Sequence, residues 1–321
     1  MIVYIAQRLL AGLGTLLGVS IIVFILVRAL PGDAAVMMTG AGGGVVSEQE
    51  LQQVRAKLGL DQPWVIQFAD WSERIAVLDL GTSLRTGNAV SADIERRLPY
   101  TMEIVVLSMV IAIGLGIPSG VFSAWFAGGA VDRVLQTVSM IGLAAPSFWI
   151  GLLLILGLVV LFGWSAPLFW EPFWVSPLKS LSQLIWPSLS VGLRQTALIS
   201  RMTRAIMLEV LDEDYIRTAR AKGVPEFGVV FRHGLKNGML PVVTLIGFEI
   251  AALFGGLIIT ETIFSVPGLG QYVVSSILNR DYPAIQGVVL LLAGIVVVGN
   301  LSVDLLYGVL DPRTRRGRAV A

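Results

Sequence analysis

The sequence predicts an all-α membrane protein that crosses the bilayer several times, and three observations support this class. Of the 321 residues, 55% are apolar and only 14% are charged, against about 25% charged in an ordinary soluble domain. Several stretches without charge reach the roughly 20 residues that a bilayer-spanning helix needs. The alternating segments of about 10 residues that mark a membrane β-barrel are missing. Together these features exclude a soluble enzyme and a disordered chain.

Charge, cysteine and histidine content exclude further classes of function. The net charge of +1 gives no bulk positive field, so nucleic acid is not expected as a partner. The absence of cysteine removes disulfides, thiol catalysis and thiolate metal sites. His233 is the single histidine, so no metal site built from several histidines is possible. The chain therefore lacks the side chains with which an intramembrane protease or metalloenzyme usually works.

We predict six spans from the distribution of charge. They lie within Leu9–Val27, Ile104–Val131, Val138–Phe162, Leu184–Ser200, Leu240–Thr260 and Tyr282–Leu310. The third comes from an uncharged stretch of 37 residues, which is too short for two spans and a turn. It is therefore assigned one span and a following loop rich in tryptophan and proline. The first span is too long for a signal peptide and is expected to stay uncleaved.

Lysine and arginine near the span ends predict that both termini are cytoplasmic. An even number of spans puts both ends of the chain on one side. The tail after Asp311 carries four arginines, and the segment 201–236 has seven Lys/Arg residues against five acids. The long segment 31–98 has six against nine. We therefore expect the segment 31–98 outside the cytoplasm.

The chain accordingly divides into four parts. Residues 1–30 hold the N-terminus and the first span, 31–98 form a small extracytoplasmic subdomain, 99–310 form a five-span core, and 311–321 are a basic tail. In the subdomain, capping and turn residues predict two helices followed by turns at 81–88. The signals are the turn Gly42–Gly44, the capping box Ser47–Glu50, the stop at Gly59 and the start at Pro63. A plain surface cap and a docking surface for an external partner both remain open.

The segment 201–236 is the most informative polar stretch. It predicts a helix with apolar residues at helical spacing, followed by small residues and a terminating glycine. Small side chains let the surface of another protein approach closely. A basic loop lying on lipid phosphates is an equally good interpretation. The residues concerned are Leu208, Leu211, Tyr215, Thr218, Ala219, Ala221 and Gly223, with Arg217, Arg220 and Lys222 beside them.

The segment Asp214–Gly223 resembles the cytoplasmic EAA loop of permease subunits of ATP-binding-cassette importers. It is most similar to the B-type permeases of dipeptide and oligopeptide importers, although Arg217-Thr218-Ala219 stands where the general motif has Glu-Ala-Ala. The resemblance covers nearly the whole chain and is carried by the order of many short motifs. These are Tyr4-Ile5-x-x-Arg8-Leu9-Leu10, Leu30-Pro31-Gly32-Asp33, Asp79-Leu80-Gly81-Thr82-Ser83, Arg97-Leu98-Pro99, Arg201-Met202-Thr203-Arg204, Glu261-Thr262-Ile263-Phe264, Pro267-Gly268-Leu269-Gly270, Arg280-Asp281-Tyr282-Pro283 and Asp304-Leu305-Leu306-Tyr307.

This resemblance implies the type I importer permease fold and a set of partners. They are a C-type permease subunit in a heterodimer, two cytoplasmic ATPase subunits and an external substrate-binding protein, in the plasma (inner) membrane of a bacterium or archaeon. It also implies that the loop forms a short coupling helix seated in a cleft of the ATPase. The residues assigned to this loop are Asp214, Tyr215, Arg217, Thr218, Ala219, Arg220, Ala221, Lys222 and Gly223.

The energy source follows from a missing motif. The chain has no G-x-x-x-x-G-K-[ST] sequence, so it is not expected to hydrolyse ATP. No cofactor is expected in this chain, and ATP and magnesium are assigned to the partner ATPases. Their closure would rock the spans between inward-facing and outward-facing states. The implied substrate is a peptide; a nickel chelate, glutathione or a sugar is an alternative, and an ion-coupled secondary transporter a more distant one.

Three charged residues interrupt the last three apolar spans: Arg194, Glu249 and Asp304. A charge at the centre of a span costs about 2.5–3.5 kcal/mol, so such residues usually face a partner or a cavity. At about 1.5 Å per residue, all three lie roughly 10–12 Å from the cytoplasmic end. We expect Arg194 to pair with one of the two acids. The alternative is that Arg194 faces the pathway and meets the carboxylate of a peptide.

The remaining motifs receive structural interpretations. Phe264, Pro267, Gly268 and Gly270 predict a helix break at the outer face, which is either a gate or a plain loop. The aromatic residues of 148–174 predict an interfacial belt. The pair Gly116 and Gly120 predicts close packing against another helix.

Overall fold

The computed structural model describes residues 2–29, 48–57, 59, 61–167 and 169–310. The predicted turn at Gly42–Gly44, the capping residue Ser47 and the arginines of the tail after Asp311 lie outside the described residues. Within the described ranges the secondary structure is helical. Thr82 and Ala89 form an isolated antiparallel bridge, in the segment where turns are predicted.

The described helices are joined by connections of different length, and the longer described ones precede α4 and α7. In chain order they are α1 (Ile2–Ala29), α2 (Glu48–Lys57), α3 (Trp64–Ala76), α4 (Val90–Trp125), α5 (Ala130–Ala144), α6 (Ser147–Phe162), α7 (Pro177–Leu211), α8 (Asp214–Ala221), α9 (Glu226–Phe264), α10 (Leu269–Leu278) and α11 (Tyr282–Leu310). A π-helical stretch, Val229–Leu235, lies inside α9. Both helices predicted in the subdomain are confirmed by α2 and α3.

Four helices are long and apolar enough to cross a membrane, namely Ile5–Ala29 of α1, all of α4 and α9, and Tyr282–Leu305 of α11. α5 and α6 meet at a bend of 101°, and they supply a fifth crossing if together they form one broken span. The chain is thus an all-helical multi-pass membrane protein.

The third predicted span, Val138–Phe162, is not one straight helix. It breaks at Ala145 and Pro146, between α5 and α6. Pro146 has no N–H to donate and disfavours helical backbone at the residue before it. Ala145 accordingly has extended backbone, with φ −78° and ψ 125°.

The fourth predicted span lies within α7, which is not among the four apolar helices. Polar side chains of α7 are turned inward instead, because α5, α6 and α9 pack against this helix. A helix covered by protein needs no apolar surface toward lipid. The buried polar residues are Ser180, Gln183, Ser188, Ser190, Gln195, Ser200 and Thr203.

The chain packs as two units. The first comprises Met1–Pro99 and Pro267–Val298. In its core, Val23 and Val27 of α1 pack with Ile285 of α11. Phe68 of α3, which is half-buried, meets the ring of Phe24 edge-on, with centroids 5.2 Å apart.

The second unit comprises Tyr100–Val266 and Gly299–Ala321 and holds most of the candidate site. Its α4 and α7 approach closely at two glycines. A Cβ atom added to Gly120 would lie 2.5 Å from the carbonyl oxygen of Ser200, and one added to Gly116 would lie 3.0 Å from the side chain of Ile199. The predicted close packing at this glycine pair is confirmed.

Candidate functional site

The candidate site begins with α8, an eight-residue helix whose inner face is buried. Ile216 and Ala219 pack against Val229 of the π-helical stretch, and Leu211 and Val224 flank this small core. Residues before and after α8 thus hold it through apolar contacts within the chain. The helix predicted for this loop is confirmed.

The outer face of α8 is exposed. It presents Tyr215, Thr218 and Ala221 to the surroundings. Ala219 was predicted to share a small-residue face with Thr218 and Ala221, and this is wrong because Ala219 lies on the buried side. With about 100° of rotation per residue, one helix cannot present all three in one direction.

Gly223 ends α8 by a backbone turn that favours glycine. Its φ is +77°, a left-handed conformation that a side chain would strain. The N–H of Gly223 donates to the carbonyl of Arg220, and the N–H of Val224 donates to the carbonyl of Ala219. These bonds satisfy the last helical carbonyls, so the predicted terminating role of Gly223 is confirmed.

Two of the basic residues around α8 have acidic partners within the loop. Arg220 contacts Glu226 at 2.7 Å, and the hydrogen bond from its guanidinium to that carboxylate raises the pKa of Arg220. Arg217 contacts Asp214 at 3.1 Å. Exposed pairs of this kind contribute about 0–1 kcal/mol, so they orient side chains more than they stabilise the loop. Lys222 is also exposed.

Aromatic rings cluster at the start of α9, around the π-helical stretch, and were not predicted from the sequence. Phe227 and Phe231 lie 4.5 Å apart between ring centroids, and Trp125 at the end of α4 meets both. Their spacing of four residues was the available signal. Partly exposed rings next to charged residues are typical of the membrane–water boundary.

A buried ion pair joins α5 to α7 and was also missed. Arg204 donates to both carboxylate oxygens of Asp132, each at 2.8 Å. Ser123 and the backbone N–H of Gly128 donate to the same carboxylate. The side-chain amide of Gln136 donates a fifth hydrogen bond. Asp132 is 2% exposed, so these five hydrogen bonds replace the water that its charge has lost. The available signal was an acid two residues before the long uncharged stretch.

The predicted pair of Arg194 with Glu249 is not formed. Glu249 accepts a hydrogen bond of 2.8 Å from the side-chain amide of Gln195. The neighbouring residue thus takes the place predicted for Arg194, whose side chain is exposed. The ion pairs between described residues likewise do not join Arg194 to Asp304, which is half-buried near the end of α11.

The predicted helix break on the proposed outer side is present. α9 ends at Phe264, Ser265 takes a left-handed backbone with φ +56°, and α10 begins after Gly268. Phe264 is fully buried, and a Cβ on Gly151 of α6 would lie 3.1 Å from its ring. The role of Phe264, Pro267, Gly268 and Gly270 as a gate stays a prediction.

The loop between α6 and α7 is anchored by polar side chains. Glu103 of α4 accepts hydrogen bonds from the N–H of Phe173 and the hydroxyl of Ser180. Phe169 and Trp174 remain exposed at 80% and 67%. This exposure agrees with the predicted interfacial belt, and the anchoring acid was not predicted.

Two motifs meet in the first unit. The carboxylate of Asp281 accepts hydrogen bonds from the hydroxyl of Ser83 and the N–H of Leu84. Asp93 likewise accepts from the hydroxyl of Tyr272. Burial and these nearby acids raise the pKa of Tyr272, so this phenol stays protonated. The motifs around Ser83 and Asp281 therefore serve one another as structural partners.

Comparison with known proteins gives two family matches that together cover most of the chain. Residues 116–316 match the family described as binding-protein-dependent transport system inner membrane component. Residues 1–105 match the N-terminal region of such membrane components.

Individual relatives are similar over nearly their full length. A probable peptide ABC transporter permease of Sinorhizobium fredii is 40% identical, over 98% of this chain and 99% of its own. An oligopeptide transport system permease of Bacillus subtilis is 40% identical over the same shares. A di/tripeptide transport system permease of Pseudomonas aeruginosa is 38% identical over 99% and 100%. The solved structure of an amino acid ABC transporter has a TM-score of 0.50 at 17% identity, covering 70% of this chain and 94% of that one, which indicates a shared fold.

Proposed function

Because the chain belongs to the family of binding-protein-dependent transport system inner membrane components, we propose that it is the permease subunit of an ATP-driven peptide importer. Its similarity to peptide permeases over almost the whole of both chains carries this proposal. The chain contains no P-loop, so the ATPase activity belongs to separate subunits.

The proposed topology has six spans with both termini in the cytoplasm of a bacterium or archaeon. The four apolar helices supply spans one, two, five and six, and the bent pair of α5 and α6 supplies span three. α7 supplies span four, with its polar residues covered by its neighbours. This arrangement puts α8 in the cytoplasm and the loop between α6 and α7 outside.

The proposed role of α8 is to transmit movement from an ATPase. Its buried side is fixed to the ends of α7 and α9 by Ile216 and Ala219, so a displacement of α8 carries both helices with it. Its free side offers Tyr215, Thr218 and Ala221 for docking. ATP and magnesium act in the partner, and their binding would bias the spans between two states.

The proposed assembly contains this chain, a C-type permease, two ATPases and an external binding protein. The test is to extract the tagged full-length chain from its native membrane and identify what accompanies it. We expect the second permease and both ATPases. Reconstituted with the binding protein, the complex should accumulate labelled peptide only with ATP. Recovery of the chain alone, with uptake driven by an ion gradient, would refute the proposal.

A matched pair of variants locates the docking face. Thr218 and Ser182 are both exposed, and each hydroxyl donates to a carbonyl of its own helix. Thr218→Glu should remove the ATPases from the purified complex, because it adds a charge to the docking face. Ser182→Glu, on the proposed outer side, should leave them bound. Equal retention in both variants would exclude α8 as the ATPase contact.

A further inference from the structure

α7 exposes a single narrow stripe in its middle and C-terminal part. Between Gln183 and Leu211, all positions are buried or half-buried except four. The four exposed residues are Arg194, Arg201, Ala205 and Glu209. Their spacing of seven, four and four residues places them on one side of the helix. The remaining sides pack in the second unit, mainly against α5, α6 and α9.

Arg194 has no acidic partner among the described residues. Glu249 is bonded to Gln195 instead, and the two residues Arg194 and Gln195 project about 100° apart around the helix. The positive charge is therefore not used to fix the packing of α7. Nothing within the described part of the chain neutralises it.

Such a charge is not expected to face lipid. An arginine in the middle of a span costs about 2.5–3.5 kcal/mol on insertion scales, and such residues face a water-filled cavity or a protein partner. The stripe continues at Arg201, which lies on the same side of the helix and two turns nearer the proposed cytoplasmic end. A helix covered on its other sides and charged on its free side is suited to line an aqueous route.

We propose that Arg194 lines the translocation pathway and pairs with the C-terminal carboxylate of the transported peptide. This inference rests on the proposed function. A guanidinium presents a planar fork that matches a carboxylate with two parallel hydrogen bonds. The C-terminal carboxylate is common to unmodified peptides whatever their side chains. Arg194 therefore recognises the class of substrate and not a particular sequence.

The experiment compares a peptide with its C-terminal amide in the reconstituted complex. The peptide is chosen after measuring that the binding protein binds both its free-acid and its amide form. Uptake rates are measured for the wild type, Arg194→Gln and Arg194→Lys. The same binding protein serves the wild type and both variants, so its own preference between the two peptides is constant. A change in the ratio of free-peptide uptake to amide uptake therefore reports on the permease variant alone. Arg133→Gln is the matched control, since Arg133 is exposed on α5 and outside the stripe.

We expect Arg194→Gln to slow uptake of the free peptide about tenfold and to leave the amide unchanged. Arg194→Lys should keep part of the preference, and Arg133→Gln should keep all of it. An equal loss for both peptides in Arg194→Gln, or an unchanged ratio, would overturn the inference. Loss of the second permease from the purified Arg194→Gln complex would also overturn it, because Arg194 would then pair with that subunit. A wild-type complex without ATP-driven peptide uptake would instead refute the proposed function itself.

Discussion

α1 and α7 are both long helices assigned to the membrane, yet they are built in opposite ways. The exposed side chains of α1 are large and apolar, as at Leu10, Leu13 and Leu17. α7 buries serines and glutamines and exposes Arg194 and Arg201. An apolar composition therefore identifies helices that face lipid. It does not identify the helices, such as α7, against which several others pack. A helix surrounded by protein can be polar, and its substitutions should have larger effects than those on α1.

The largest effect is expected where α7 is bonded to α5. Arg204→Ala would leave the carboxylate of Asp132 buried without its cation, which costs about 3–5 kcal/mol in comparable pairs. Thermal unfolding of the purified protein in lipid nanodiscs, followed by tryptophan fluorescence, measures this loss. Arg133→Ala, on the exposed side of α5, should unfold as the wild type does. A loss below 1 kcal/mol for Arg204→Ala would mean that water solvates Asp132.

The next effect concerns the contact of α7 with α4. Gly120→Ala would place a methyl group 2.5 Å from the carbonyl oxygen of Ser200, so the two helices must separate at a cost of about 1–3 kcal/mol. Gly114→Ala, in the same helix, meets no atom within 4 Å. The same unfolding measurement should therefore distinguish two chemically identical substitutions. Equal stability of both variants would contradict the close approach.

A smaller effect separates the two neighbours Arg194 and Gln195. A double-mutant cycle between Gln195→Leu and Glu249→Leu should give a coupling energy of about 1 kcal/mol. The cycle between Arg194→Leu and Glu249→Leu should give none within error. Exchanging the charges of Arg194 and Glu249 should likewise fail to restore transport. A coupling larger for Arg194 than for Gln195 would show that the arginine is the true partner.

The smallest effect is expected on the lipid side of α1. Leu17→Ala removes an exposed side chain and should change stability by less than about 0.5 kcal/mol. Val27→Ala, in the same helix but 2% exposed, should cost about 1.5 kcal/mol because two buried methyl groups are lost. Denaturation of both variants in the same nanodiscs gives the comparison. If the two losses are equal, burial within the protein does not control the stability of α1.

Much of the fold could be predicted because lipid imposes a strong local signal. The span predicted at Tyr282–Leu310 coincides with α11, and Gly223 ends α8 as the glycine signal indicates. These features depend on residues near one another in the chain. The remaining expectations about the fold came from the resemblance of short motifs to importer permeases.

Contacts between distant residues could not be predicted in the same way. Asp132 and Arg204 are 72 residues apart, and nothing in composition selects them as a pair. The choice between Arg194 and Gln195 as partner of Glu249 depends on the rotation of α7 within its neighbours. The break at Pro146 carried a local signal, but the length of the uncharged stretch outweighed it. Local sequence therefore defines elements well and tertiary partners poorly.

The π-helical stretch Val229–Leu235 has a consequence for how sequences of this type vary in length. Each N–H in such a stretch bonds five residues back, one further than in an α-helix, so the stretch accommodates an extra residue. Deleting one residue there would let the backbone rewind as an α-helix, while α8 before the stretch and the turns around Glu249 after it keep their own helical hydrogen bonds. A single-residue gap at this point in a homologous sequence should therefore be aligned as a local rewinding, with α8 and α9 kept in register.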